Sequence, residues 1–152
     1  MGQPKDPLLG VAILLVMLPP AAQACGDACF GRWLTPDKDA VIEVSRCGSE
    51  ICGLLVAFDL AEYPNRDQHN PQRDLRARPL CGMRVLGGQI GSDDQFLHGW
   101  VYDASDGKKY VLSGVRQRDP DTLVLELQMA FFTHDVALRR VTSSEIASCA
   151  RS

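Results

Sequence analysis

The chain has 152 residues, 45% of them hydrophobic, with 16 Lys and Arg against 19 Asp and Glu and a formal charge of −3. That length suits one folded domain, and the hydrophobic content argues against an intrinsically disordered chain. No basic run exceeds two residues (Lys108-Lys109 and Arg139-Arg140), so the electrostatic footprint of a nucleic-acid partner is missing.

Lys5 precedes an almost unbroken apolar run at 8–18, Pro19-Pro20 ends it, and Ala22-Gln23-Ala24 follows. A charged start, an apolar stretch and a small-x-small site make a secretory signal peptide, with Asp6 the atypical residue. The run is too short to be a spanning helix, which needs ~20 residues. The expected organisation is a signal peptide at 1–24 and one domain at 25–152, in the periplasm or secreted. Cleavage after Ala24 would make Cys25 the first residue, the place of a lipid anchor. Ala22 and Gln23 fit a lipoprotein site poorly, so anchoring is the lesser reading.

Beyond residue 25 the dominant period is two, the mark of strands with one face in a core. The clearest case is 122–131, TLVLELQMAF, where Leu123, Leu125, Leu127, Met129 and Phe131 share a face. Similar runs at 30–34, 40–46, 52–59, 83–90, 96–102, 109–116 and 133–141 bring the candidate strands to eight. The spacers carry turn residues: Thr35-Pro36-Asp37-Lys38-Asp39, Asp103-Ala104-Ser105-Asp106-Gly107 and Asp119-Pro120-Asp121. Asp-Gly supplies the positive φ of a tight hairpin. The exception is 60–80, long, polar and broken by three prolines. It reads as an ordered loop crossing one end of the sheet, and loops of this length in compact domains are usually functional. Thr142 and Glu145 have the spacing of a capping box for a short terminal helix. Period and composition alone leave a sandwich and a barrel both open.

Six cysteines, Cys25, Cys29, Cys47, Cys52, Cys81 and Cys149, follow the apolar run, and an even set in an exported chain reads as disulfides. Cys47 ends one strand and Cys52 begins the next, so the hairpin between them brings them within disulfide reach. Zinc would want Cys-x-x-Cys with further ligands, and a thioredoxin-type pair two intervening residues and a helix. Were the eight strands closed into a barrel, the last would lie beside the first. Cys149 would then meet Cys29 or Cys25, with Cys29–Cys149 the pairing expected here, and Cys81 would take the remaining cysteine or none.

The order of short motifs points further. Gly31-Arg32-Trp33-Leu34 opens the domain, and Cys47-Gly48 and Cys52-Gly53 flank a hairpin. Asp67 and Asn70-Pro71 are followed by Arg78-Pro79-Leu80-Cys81-Gly82, then by Gly99-Trp100-Val101-Tyr102-Asp103 and Gly107-Lys108-Lys109-Tyr110. This order resembles the bacterial domain-of-unknown-function family 2147 (DUF2147) from about Gly31 to Val141. The C-terminal part departs: Ala130-Phe131-Phe132-Thr133 and Leu138-Arg139-Arg140 stand where the family tends to have a Gly-rich strand and a Trp-x-Arg ending. The resemblance implies an all-β, lipocalin-like, eight-stranded antiparallel barrel, an apolar ligand and no established activity.

An eight-stranded barrel either fills with side chains or holds one small ligand. Trp33 and Trp100 are candidates to line a cavity, although plugging the core is the commoner role. Asp67, Asn70 and Arg78 form the strongest polar group, either orienting a ligand head group at the barrel mouth or capping and pairing within the loop. His98 alternates with Phe96 and Trp100 and is expected to face inward. No two of His69, His98 and His134 stand at a metal-ligand spacing, so no metal is expected. No nucleophile motif appears, and Gly87-Gly88-Gln89-Ile90-Gly91 has no helix after it to make a phosphate loop. The expectation is therefore an exported binder without catalytic residues or cofactor. It would hold a small apolar or amphipathic, lipid-like molecule, with polar contacts from loop 60–80. The alternative is a filled barrel that binds another envelope protein.

Overall fold

The computed structural model describes Gly2, residues 26–61, 64–90 and 96–141, and Cys149. The expected signal peptide, apart from Gly2, and the capping residues Thr142 and Glu145 lie outside the described residues. Eight strands follow in chain order: β1 (Gly31–Leu34), β2 (Ala40–Cys47), β3 (Glu50–Phe58), β4 (Arg84–Ile90), β5 (Phe96–Asp103), β6 (Lys108–Asp119), β7 (Thr122–Met129) and β8 (Phe132–Arg140). Each pairs antiparallel with the next, and β8 pairs with β1 through Trp33↔Arg140 and Leu34↔Arg139. The sheet is a closed barrel, which leaves no exposed edge. No helix among the described residues is long and apolar enough to cross a membrane, which leaves membrane crossing by strands unaddressed.

The period-two pattern becomes the barrel interior. Trp33, Val44, Ile51, Leu86, Leu112, Leu123, Leu125 and Leu138 all lie within the core, each no more than 2% exposed. Two glycines make room for aromatic rings. A Cβ at Gly88 would stand 2.3 Å from the Phe96 ring, and one at Gly87 would stand 2.9 Å from the Trp100 ring. The glycine run 87–88 is thus strand packing, where close approach of a ring takes the place of a side chain.

One alternation breaks. Gly87 pairs with Trp100 and Gln89 with Leu97, so His98 and Gly99 on β5 stand opposite the single residue Gly88. This is a β-bulge, and His98 takes a φ of 51°. The bulge slips the pattern by one residue. His98 is consequently exposed rather than inward, and Trp100 lies outside the barrel while Gly99 is buried against Leu112.

The strand directions give the barrel two distinct ends. The β2–β3 and β6–β7 turns lie at one end, together with the starts of β1 and β5 and the ends of β4 and β8. The β1–β2, β5–β6 and β7–β8 turns and the long segment 59–83 lie at the other.

A 3-10 turn at Asp27–Cys29 closes the first end. Trp33 donates its indole N–H to the Cys29 carbonyl at 2.9 Å. The Arg140 guanidinium lies 4.1 Å over the Trp33 ring centre. Arg140 also donates to the carbonyls of Ala28 (2.6 Å), Pro120 (2.8 Å) and Phe30 (3.1 Å). A cation over an indole face and fixed by three carbonyls is stabilised by the ring quadrupole and by backbone dipoles together.

Cys47 and Cys52 are bonded to each other, with Cα atoms 5.9 Å apart. The two-residue turn at 48–49 pairs Cys47 with Glu50 and Ser45 with Cys52, so the bridge runs diagonally, not between directly opposed residues. The expected Cys29–Cys149 bridge is not formed: Cys149 is bonded to Cys81, with Cα atoms 5.6 Å apart. Cys149 donates its backbone N–H to Val56 near the loop-covered end of β3. The chain leaves β8 at the closed end and has reached the opposite end by Cys149. Cys81, where the long segment rejoins the barrel, is the thiol in reach. Cys29, at the closed end, is disulfide-bonded to neither of these. In the chain-entropy view a bridge over 68 residues contributes about 4 kcal/mol and one over 5 residues about 2.

Candidate functional site

The long segment is held down by one buried carboxylate. Asp67 is fully buried. Its Oδ2 accepts from Asn70 Nδ2 (2.7 Å) and from Arg78 Nε (2.8 Å) and Nη2 (2.7 Å), and its Oδ1 accepts from the Tyr102 hydroxyl (2.6 Å). The Asp67 backbone N–H donates to the Arg78 carbonyl, and Arg76 Nε donates to the Asn70 carbonyl. The sequence allows this locally: Asn70 turns the chain by accepting the Gln72 N–H on its side-chain oxygen, the Asx habit that suits it to turns. Every donor reaching Asp67 comes from the segment itself except Tyr102, near the end of β5. Burial, then the hydrogen bond donated to Asp67 and the charge of that carboxylate, push the Tyr102 hydroxyl up to about 12.

The residues singled out in sequence therefore divide. Asp67, Asn70 and Arg78 do come together, but the Asp67 carboxylate is taken up by Asn70, Arg78 and Tyr102, and the Asn70 side-chain oxygen by the Gln72 N–H. They clasp a loop and present no open head-group site. A local spacing search misses Tyr102, which stands 35 residues from Asp67. The only trace of it is the Gly99–Asp103 motif. A second anchor is steric. A Cβ at Gly107 would stand 2.0 Å from the His69 carbonyl oxygen, so the loop backbone rests directly on the β5–β6 turn.

Beneath the clasp is an apolar cavity of about 80 Å³, lined by Thr35, Ala40, Ile42, Leu55, Phe58, Val85, Tyr102 and Ala104. Neither tryptophan lines it. Trp33 is sealed at the far end, and Trp100 sits on the outer face between Arg84 (5.5 Å) and Lys109 (4.3 Å). On the loop side a polar crevice of about 120 Å³ runs between the segment and the β5–β6 turn, and Ala104 belongs to the walls of both. Among the described residues Cys47, Glu50 and Cys52 form the one cluster close enough for a metal. Its two sulfurs are bonded to each other, and Glu50 is paired with Arg84 at 2.6 Å.

Comparison with known proteins agrees with this geometry. No curated protein sequence matches the chain. A solved structure described as "Protein HP1028 from the human pathogen Helicobacter pylori belongs to the lipocalin family" superposes with a TM-score of 0.62 at 19% identity, over 76% of this chain and 84% of that one. At that identity the likeness establishes the fold, a lipocalin-like barrel. The model of the family described as "Uncharacterized protein conserved in bacteria (DUF2147)" matches residues 31–136, and the chain belongs to that family.

Proposed function

We propose that the barrel binds a slim apolar group, such as an unbranched alkyl chain, at its loop-covered end. The observation that carries this is the apolar cavity walled by Ala40, Ile42, Leu55, Phe58 and Val85 beneath the Asp67 clasp. Its size sets the guest. At about 80 Å³ it is half the ~150 Å³ of a dry cavity that accepts benzene and well below the ~300–1,000 Å³ of drug-sized sites. A sterol or a two-chain lipid does not fit; the end of one chain does. The proposed role is binding: the lining offers apolar walls and two hydroxyls, of Thr35 and Tyr102. Disulfides and the N-terminal sequence pattern support a place of action in the periplasm or outside the cell.

Native mass spectrometry of protein released from the periplasm without detergent tests this. The expected spectrum shows a chain starting near residue 25 and a small apolar adduct lost on denaturation. The variant Ala40→Phe, which fills the cavity, is expected to lose the adduct while keeping its circular dichroism. An apo mass that persists after incubation with octan-1-ol would refute the reading.

The second reading is a filled barrel that binds another envelope protein. It draws on Phe131 and Phe132, adjacent, exposed and at the β7–β8 turn of the same end.

A further inference from the structure

The crevice beside the cavity takes no part in the clasp. We infer that it receives the anionic head group of an amphiphile whose chain enters the cavity; this rests on the cavity reading above. The ligand class is then a carboxylate or phosphate monoester on a short, unbranched alkyl chain.

Three features carry the inference. First, the crevice and the cavity share Ala104, and Leu80, a core residue, floors the crevice. A molecule spanning both is apolar at one end and polar at the other.

Second, the crevice is lined by Arg66, Gln68, His69 and Ser105 and by no carboxylate. The nearest acidic groups in sequence already have partners. Asp103 stands behind the crevice wall and accepts from the N–H and hydroxyl of Ser105, and Asp106 pairs with Lys108 and accepts from Tyr110. Asp67 faces Arg78, Asn70 and Tyr102.

Third, the donors are exposed, and the protein uses only some of their N–H groups. Arg66 gives one N–H to the Ala77 carbonyl at 3.0 Å, which positions the guanidinium, and it has no carboxylate partner among the described residues. Its remaining N–H groups form the fork that matches an oxyanion. Gln68 Nε2 lies 3.2 Å from His69 Nε2. With the amide as donor, the ring proton is assigned to Nδ1, leaving a second donor. The seat of His69 on Gly107 fixes this stretch of backbone.

The head-group site is thus set by Arg66, Gln68 and His69, and not by the Asp67 group, whose donors face inward to their own carboxylate. Calorimetric titration with four probes tests it: octanoate, octyl phosphate, octan-1-ol and inorganic phosphate. Wild type is expected to bind both anionic amphiphiles about tenfold more tightly than the alcohol, the size of one charge-assisted hydrogen bond. Inorganic phosphate alone should show no heat of binding. Arg66→Gln should bring octanoate and octyl phosphate down to the alcohol and leave the alcohol unchanged.

Equal affinity for octanoate and octan-1-ol in wild type, or a preference that survives Arg66→Gln, overturns the head-group site while the cavity stands. Inorganic phosphate binding as tightly as octyl phosphate, and indifferent to Ala40→Phe, shows a free-anion site and overturns the amphiphile. Absence of binding by all three octyl compounds refutes the cavity reading and this inference with it.

Discussion

The two ends of the barrel solve the same problem with opposite charges. At the closed end a cation, Arg140, is caged by three backbone carbonyls and the face of Trp33. At the loop-covered end an anion, Asp67, is caged by side-chain donors from Asn70, Arg78 and Tyr102. The first cage includes the largest buried side chain and fills the interior beneath it. The second sits above small and medium residues, Ala40, Ala104 and Val85, and leaves a cavity. The difference teaches where binding can happen. A carbonyl cage built on backbone moves only with the barrel, whereas a side-chain cage on a loop can open at the cost of a few hydrogen bonds.

Substitutions at the two ends sharpen that contrast. The largest effect is expected from Trp33→Ala, which removes the indole and leaves Arg140 without its ring. Truncating a buried tryptophan costs about 4 kcal/mol, and chemical denaturation should show that loss with no gain in ligand access. A smaller effect is expected from Asp67→Asn. It keeps the shape but removes the charge that holds Arg78, itself partly exposed, so about 2 kcal/mol is the scale. Hydrogen exchange should then rise across 64–80 and not in β1 or β8. Equal protection at both ends would erase the proposed difference between them.

The smallest effect concerns Tyr102. Its folded pKa is raised above the ordinary tyrosine value, to about 12. The neutral hydroxyl therefore stabilises the clasp fully below about pH 10, and this contribution is lost as pH rises through about 12. Spectrophotometric titration at alkaline pH should show a tyrosine ionising near pH 12 with loss of loop protection. Tyr102→Phe should abolish that step and leave the closed end unchanged.

Much of the architecture was legible because a strand repeats every two residues and a hairpin needs short turn chemistry. The eight runs of alternation became eight strands, and Cys47 and Cys52 met across their turn. What sequence missed has no short-range signature. The bulge at His98 and Gly99 shifts the register, so counting by twos across Phe96, His98 and Trp100 put two residues on the wrong face. The partner of Cys149 depends on the path of the chain beyond β8, and Cys81 stands 68 residues away. The acidic centre of the clasp was visible as Asp67, Asn70 and Arg78. Pairing within the loop was one of the two roles expected of it; what sequence did not show is Tyr102, which locks it to the barrel from another strand. Arg66, Gln68 and His69 form no motif at all. Only the folding of the segment onto Gly107 gathers them beside Ala104.

The central claim is that the loop-covered end, and not the closed end, accepts an apolar chain. Methyl-labelled protein titrated with octan-1-ol and followed by nuclear magnetic resonance tests it most directly. The account predicts shifts at the methyls of Ala40, Ile42, Leu55, Val85 and Ala104, and none at Val44 or Leu138 toward the closed end. No shifts, or shifts centred on Leu138 and the Trp33 indole, would contradict it.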